Sequence, residues 1–196
     1  ALHCYLFQAM ESFNARYPNV HFKILNNSTK KSIHIVKEGN VDFAVVSAPF
    51  HIEKPLKKQI LREYHDILIS GKRYSELKGK QLSINQLSKY PWISLTSEAI
   101  TRKFLNQYFE KNGLKFEPDI ELATTDMILP AVRHNLGIGF IPPEFAIDDL
   151  DSEEIFEIHV QETFPERNIT LIYDTEYPQS IAAKEFLKFL SETTIL

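Results

Sequence analysis

The segment Asn26-Asn27-Ser28-Thr29-Lys30-Lys31-Ser32-Ile33-His34-Ile35-Val36-Lys37-Glu38-Gly39-Asn40-Val41-Asp42-Phe43-Ala44-Val45-Val46 decides the fold class. It opens on four residues of the kind that cap helix N-termini, because their side-chain oxygens accept hydrogen bonds from the first free backbone N–H groups. The helix they start runs to about Glu38 and stops at Gly39, since glycine readily takes the left-handed conformation that ends helices. Val41–Val46 follows as a near-continuous apolar run, the pattern of a parallel strand covered on both faces. Upstream, Leu2, Tyr5, Leu6, Ala9, Met10, Phe13 and Tyr17 recur at intervals of three and four, marking one face of an amphipathic helix. Cys4 and Phe7 widen that face, so a second buried surface, and with it a dimer, is expected. Pro18 stops the helix, and Val20–Leu25 alternates with Val20, Phe22 and Ile24 on one side, which predicts a strand. Helix, strand, helix, strand is the grammar of an α/β sheet.

Downstream the grammar resumes. Ile67–Ser70 reads as an apolar strand followed by Gly71, and Tyr74–Leu87 as a connection with a short helix near Ile84–Leu87. Trp92–Leu95 is a strand, Thr96-Ser97 a cap, and Glu98–Asn112 a helix closed by Gly113. Ile120–Ala123, the cap Thr124-Thr125-Asp126 and a helix ending near Asn135 follow. Pro130 removes a backbone donor near the start of that helix, so a late or irregular first turn is expected. Ile138–Ile141 is a strand stopped by Pro142-Pro143, Asp148–Glu154 an acidic surface loop, and Ile155–Val160 and Ile169–Tyr173 are strands. A helix over about Gln179–Ser191 ends the pattern. Asn27–Pro49 and Thr124–Pro142 share one order (polar loop, helix, glycine, strand, proline), which hints at two similar lobes.

Composition narrows function. The 196 residues suffice for one sizeable core or two modest lobes. The net charge of −4 argues against this segment gripping DNA, which requires a basic face. One cysteine excludes an intrachain disulfide and any multi-cysteine metal site, and suits a reducing cytoplasm. No apolar stretch approaches a membrane span and no secretory signal is visible, so a cytoplasmic location without membrane contact is expected. The seven histidines form no metal-ligand pair, and neither a nucleophile elbow, a Walker loop nor a dinucleotide fingerprint is present. A binding domain with no metal, no cofactor and no catalytic residue is the expectation.

Three stretches carry a resemblance. Phe13-Asn14-Ala15-Arg16-Tyr17-Pro18-Asn19-Val20 resembles the "F…YP-x-V" segment of LysR-type transcriptional regulators. Ile33-x-x-Val36-x-x-Gly39-x-x-Asp42-Phe43-Ala44-Val45-Val46 is similar to that family's helix–Gly–x–x–Asp–strand unit. Ala131-Val132-x-x-Asn135-Leu136-Gly137-Ile138-Gly139-Phe140-Ile141-Pro142 is similar to its "V-x-x-G-L-G-I-x-x-x-P" stretch. Order and spacing agree, and Phe186-Leu187-x-Phe189-Leu190 fits the last helix. The resemblance implies a type 2 periplasmic-binding-protein-like fold of two Rossmann-like lobes joined by two crossover strands. Residues 1–72 and 173–196 would form lobe I, and 73–172 lobe II. It further implies an effector held between the lobes, a homodimer or tetramer, and DNA contact only through an N-terminal winged helix-turn-helix absent here. The family's first strand and its loop would precede Ala1.

In such sheets ligands gather beyond the carboxyl ends of the strands, where helix N-termini present unpaired N–H groups and partial positive charge. The candidate ligand contacts are therefore Ser28, Thr29 and Ser47 in lobe I, and Thr96, Ser97, Thr124 and Thr125 in lobe II. Each could equally be an ordinary helix cap. His34 reads as a solvated or capping residue, Arg102 as exposed although within reach of an anion, and Lys30-Lys31 and Lys57-Lys58 as solvated faces. The polar caps favour a small organic acid or amino acid. Two other functions compete: a transporter's solute-binding protein, which shares the fold, and an enzyme, which lacks a convergent acid, base or cofactor motif.

Overall fold

A computed structural model of the protein describes residues 6–192. The elements in chain order are α1 (Phe7–Arg16), α2 (Thr29–Lys37), β1 (Phe43–Ser47), β2 (Leu56–Tyr64), β3 (Ile67–Gly71), β4 (Gln81–Leu82), α3 (Ile84–Leu87), β5 (Trp92–Leu95), α4 (Ile100–Lys111), β6 (Ile120–Leu122), α5 (Ile128–Arg133), β7 (Ile138–Ile141), α6 (Ile147–Asp151), β8 (Ile155–Val160), β9 (Arg167–Asp174) and α7 (Ile181–Glu192). The chain forms two compact units. Unit 1 combines Ala1–Glu63 with Asn168–Leu196, and unit 2 is Tyr64–Arg167. Both divisions come earlier in the chain than the boundaries read from sequence. β3 lies in the middle of unit 2's sheet. Leu2, Cys4 and Tyr5, part of the first helical pattern, fall outside the described residues.

Unit 1 holds a three-stranded sheet ordered β1-β9-β2, with β1 antiparallel to β9 from Phe43 opposite Tyr173 to Ser47 opposite Ile169. This corrects the expected parallel strand at Val41–Val46: its buried residues alternate, Ala44 and Val46 on one face. Those two pack with Val36 of α2, Leu56 and Ile172. On the other side Phe43 stacks on Phe186 of α7, which meets Phe13 of α1 edge-on at 5.0 Å. Gly39, at φ +70°, ends α2 as expected, with the Tyr177 ring lying where a Cβ would project. The predicted strand at Val20–Leu25 does not form. Alternation makes a strand only when backbone groups find a ladder partner. Residues 20–25 instead line, together with Val41–Val45, a groove of about 310 Å³, and Ile24 and Leu25 are 46% and 43% exposed.

Unit 2 holds a six-stranded mixed sheet ordered β4-β8-β3-β7-β5-β6. β5 runs parallel to β6 and β7, whereas β3 is antiparallel to β7 and β8. Alternate residues divide between two cores. Leu68, Trp92, Ile138, Phe140 and Ile158 pack with α3 and α4, while Ile67, Ile69, Ile93 and Ile141 pack with α5. Trp92 anchors the first core, stacked on Phe140 and edge-on to Phe109 and Phe116. Pro130 has the expected effect: a 3₁₀ turn at Thr125–Met127 precedes a short α5. Asp148–Glu154 is not a plain loop, since α6 covers Ile147–Asp151 and Asp149 pairs with Arg133 at 3.0 Å. β2 has no counterpart in the sequence reading. Its residues Lys57 to Ile60 are exposed, so it lacks the alternation that signals a strand.

Candidate functional site

The candidate residues fall into two groups, one in each unit. In unit 1, Ser28 caps α2, its hydroxyl accepting from the Lys31 N–H at 3.4 Å, and Thr29 is the first helical residue. Ser47 ends β1, half-buried and opposite Ile169 of β9. The cap satisfies one of the free N–H groups of α2 and leaves others to solvent or a ligand.

In unit 2 the parallel pairing of β5 with β6 places both carboxyl ends side by side, and the Thr96 N–H donates to the Leu122 carbonyl at 3.1 Å. Loop 96–99 and loop 123–126 therefore start from the same edge of the sheet. Thr96, Ser97, Thr124 and Thr125 are brought together at this edge, with Thr96 and Thr125 half-buried and Ser97 and Thr124 exposed. Neither Ala99, the cap of α4, nor Thr124, which precedes the 3₁₀ turn, makes a side-chain capping bond. The Thr124 hydroxyl is thus not consumed as a cap, which separates it from Ser28. Ser97 has another partner: its hydroxyl donates to the Glu98 carboxylate at 3.0 Å. The Glu98 backbone N–H and then the Ser97 hydroxyl, with smaller help from Lys103 and Thr96, hold the Glu98 carboxyl below the usual carboxylate range. Desolvation opposes the shift.

Two basic residues resolve in different directions. Arg102 is buried rather than exposed. It donates to the Leu95 carbonyl at 3.1 Å, to Glu121 at 2.7 Å and to Asn106 at 2.9 Å, so its charge braces the β5–β6 edge from behind. His34 is exposed and pairs with Glu38 one helical turn away at 3.1 Å, a solvated residue as expected. No group of three or more His, Cys, Asp or Glu able to hold a metal occurs among the described residues.

Sequence reasoning missed a second polar centre in unit 2. Arg167 is buried with its guanidinium on Asp66 at 2.6 Å and on the Thr101 hydroxyl at 2.7 Å. The residues lie just outside predicted strands and in the predicted α4 helix, where a polar residue reads as ordinary solvent-facing punctuation. A charged residue at each of two strand starts, Asp66 before Ile67 and Arg167 before Ile169, was the available signal.

Residues 1–194 match the LysR substrate-binding domain family model. Among relatives, the chain is 24% identical over 179 residues to the probable RuBisCO transcriptional regulator of Cyanophora paradoxa, covering 89% of this chain and 55% of that protein. It is 26% identical over 133 residues to the HTH-type transcriptional regulator CysB of Burkholderia cenocepacia, covering 68% and 42%. The chain spans about half the length of the relatives it matches. Among solved structures, the CcmR regulatory domain of Synechocystis PCC6803 in complex with 2-PG superposes with a TM-score of 0.84 at 20% identity, over 97% of this chain and 91% of that one. The effector-binding domain of QuiR in complex with shikimate gives 0.80 at 16% identity, over 94% and 88%. These two likenesses concern the fold.

Proposed function

The chain belongs to the LysR substrate-binding domain family, and from that premise we propose that it is the effector-sensing part of a transcription regulator, a binding module and not an enzyme. One observation carries the reading. The carboxyl ends of the parallel strands β5 and β6 bring the hydroxyls of Thr96, Thr124 and Thr125 to one edge, next to the start of α4. Such an edge, with free N–H groups and the positive end of a helix, suits a small organic acid or an amino acid carboxylate. Ser28, Thr29 and Ser47 supply the corresponding groups in unit 1. A ligand acts on an attached DNA-binding segment only through its different affinity for two arrangements of the sensing domain. Pairing with a second copy, contact with DNA through another segment, and a cytoplasmic setting complete the proposal. No helix among the described residues is long and apolar enough to cross a membrane. The relatives named above are transcription regulators, and no observation favours the transporter reading.

A thermal-shift screen of small carboxylates and amino acids, shikimate included, identifies the ligand, and calorimetry gives its Kd. Thr96→Val and Thr125→Val are each expected to weaken binding about tenfold, roughly 1.4 kcal/mol, while the melting temperature moves far less. Unchanged affinity in both variants would sink the assignment of this edge.

A further inference from the structure

Arg167, Asp66 and Thr101 form a buried polar link that neither the cores nor the candidate contacts use. Arg167 Nη1 donates to Asp66 Oδ2 at 2.6 Å, and Nη2 donates to Thr101 Oγ1 at 2.7 Å. The two charged side chains are 3% and 1% exposed. The guanidinium is held between the rings of Tyr64 and Phe104, 5.4 and 5.2 Å from their centroids. Tyr64 is the residue at which the chain enters unit 2, and Arg167 is the last residue before it leaves. Thr101 lies in the first turn of α4, directly after the loop that carries Thr96 and Ser97.

Burying an ion pair is a poor route to stability, because desolvating two charges offsets most of their attraction and apolar residues of similar volume often serve as well. Here the balance is poorer still, since Asp66 Oδ1 has no hydrogen-bond partner among the described residues. What a planar, forked guanidinium does supply is a fixed geometry: its donors are satisfied only when each partner sits at one place and angle. In this link the partners are the chain's entry segment and the first turn of α4.

We propose that Arg167 is a positioning residue that ties the start of α4, and with it loop 96–99, to the two points where the chain passes into and out of unit 2. The proposal rests on the reading of that loop as an effector contact. A ligand that draws the loop toward itself displaces Thr101. The displacement reaches Arg167 and Asp66 as a bent or broken charged hydrogen bond, so it is felt at both crossovers and not only within α4.

Amide hydrogen exchange on the protein without ligand tests the tie. Thr101→Val removes the hydroxyl at nearly constant volume. Exchange is expected to quicken roughly tenfold at residues 97–103 and also at residues 64–67 and 168–169, with β7 unchanged. Thr101→Ser, which keeps the hydroxyl, restores the wild-type pattern. Asp66→Asn, at a residue that accepts from Arg167, is expected to quicken residues 97–103 as well. Quickening confined to the α4 turn in Thr101→Val, or to residues 64–67 in Asp66→Asn, overturns the proposal, as does uniform loosening of unit 2 or failure of the serine to rescue. Because no ligand is present, this outcome is independent of the Thr96 and Thr125 binding test.

Discussion

The two units reach the same α/β layering with very different completeness. Unit 2 sandwiches six strands between two cores, and side chains as large as Trp92, Phe109 and Phe140 are nearly solvent-free. Among the described residues unit 1 covers three strands, clusters Val36, Ala44, Val46, Leu56 and Ile172, and buries Phe13, Leu171, Phe186 and Leu190 besides, while β1 flanks a groove that residues 20–25 line without forming a strand. Apolar area removed from water scales with how many layers close on each other, at about 25 cal/mol per Å². The lesson is that local pattern and local stability are separate: residues 20–25 carry a strand's alternation and β7 carries none, yet β7 has ladder partners on both sides and residues 20–25 form no strand.

This contrast predicts that unit 1 unfolds first in urea, with the single tryptophan, Trp92, reporting the later loss of unit 2. The largest test reverses the order. Trp92→Ala is expected to cost unit 2 roughly 3–5 kcal/mol by emptying the site between Phe109, Phe116 and Phe140. Residue-resolved amide exchange should then show unit 2 opening first. If unit 1 still opens first by a wide margin, the difference between the units is greater than their cores explain.

Smaller effects sharpen the comparison. Ser28→Ala removes the cap of α2 and is expected to lower the stability of unit 1 by about 1 kcal/mol, leaving exchange in β5 and β7 unaltered. A loss shared equally by both units would mean that they unfold as one. In unit 2, burial and then the nearby Glu162 push the Tyr108 hydroxyl up to about 12. A tyrosine raised in the folded state stabilises it fully below its unfolded value near 10, and that contribution fades as pH rises toward 12. Ultraviolet titration should show one tyrosine ionising late, and Tyr108→Phe should remove that phase. Its persistence would place the late phase on another ring.

The layering was legible in the residues, and so was most of unit 2. Val36, Gly39, Ile93 and Ile138 announce their elements through spacing, because each helix or strand there is regular and buried on the expected face. β2 was not legible, since a strand that shows Lys57 and Lys58 to solvent looks like a charged loop. α6 was hidden for a related reason: its acidic residues Asp148 and Asp149 suit the first turn of a helix but also suit a loop. The candidate hydroxyls could be nominated one by one from their positions after strands. Their gathering at one edge of unit 2 follows from the β5–β6 pairing, which no single stretch of sequence encodes. Arg102 was misread and Arg167 missed for a common cause: a buried arginine is recognisable only through partners that are distant in the chain, Glu121 in one case and Asp66 in the other.

The groove beside β1 also governs how the protein should be handled. β1 has β9 as its ladder partner among the described residues, and its far side faces an apolar trough with Ile24 and Leu25 at the rim. A strand edge of that kind is a template for another chain's backbone. At the millimolar concentrations used for spectroscopy, edge-to-edge stacking through β1 would imitate a physiological pair. A pair formed that way uses the same edge on both copies and so also stops at two, which means that substitutions along β1, and not size alone, distinguish it from a pair formed elsewhere.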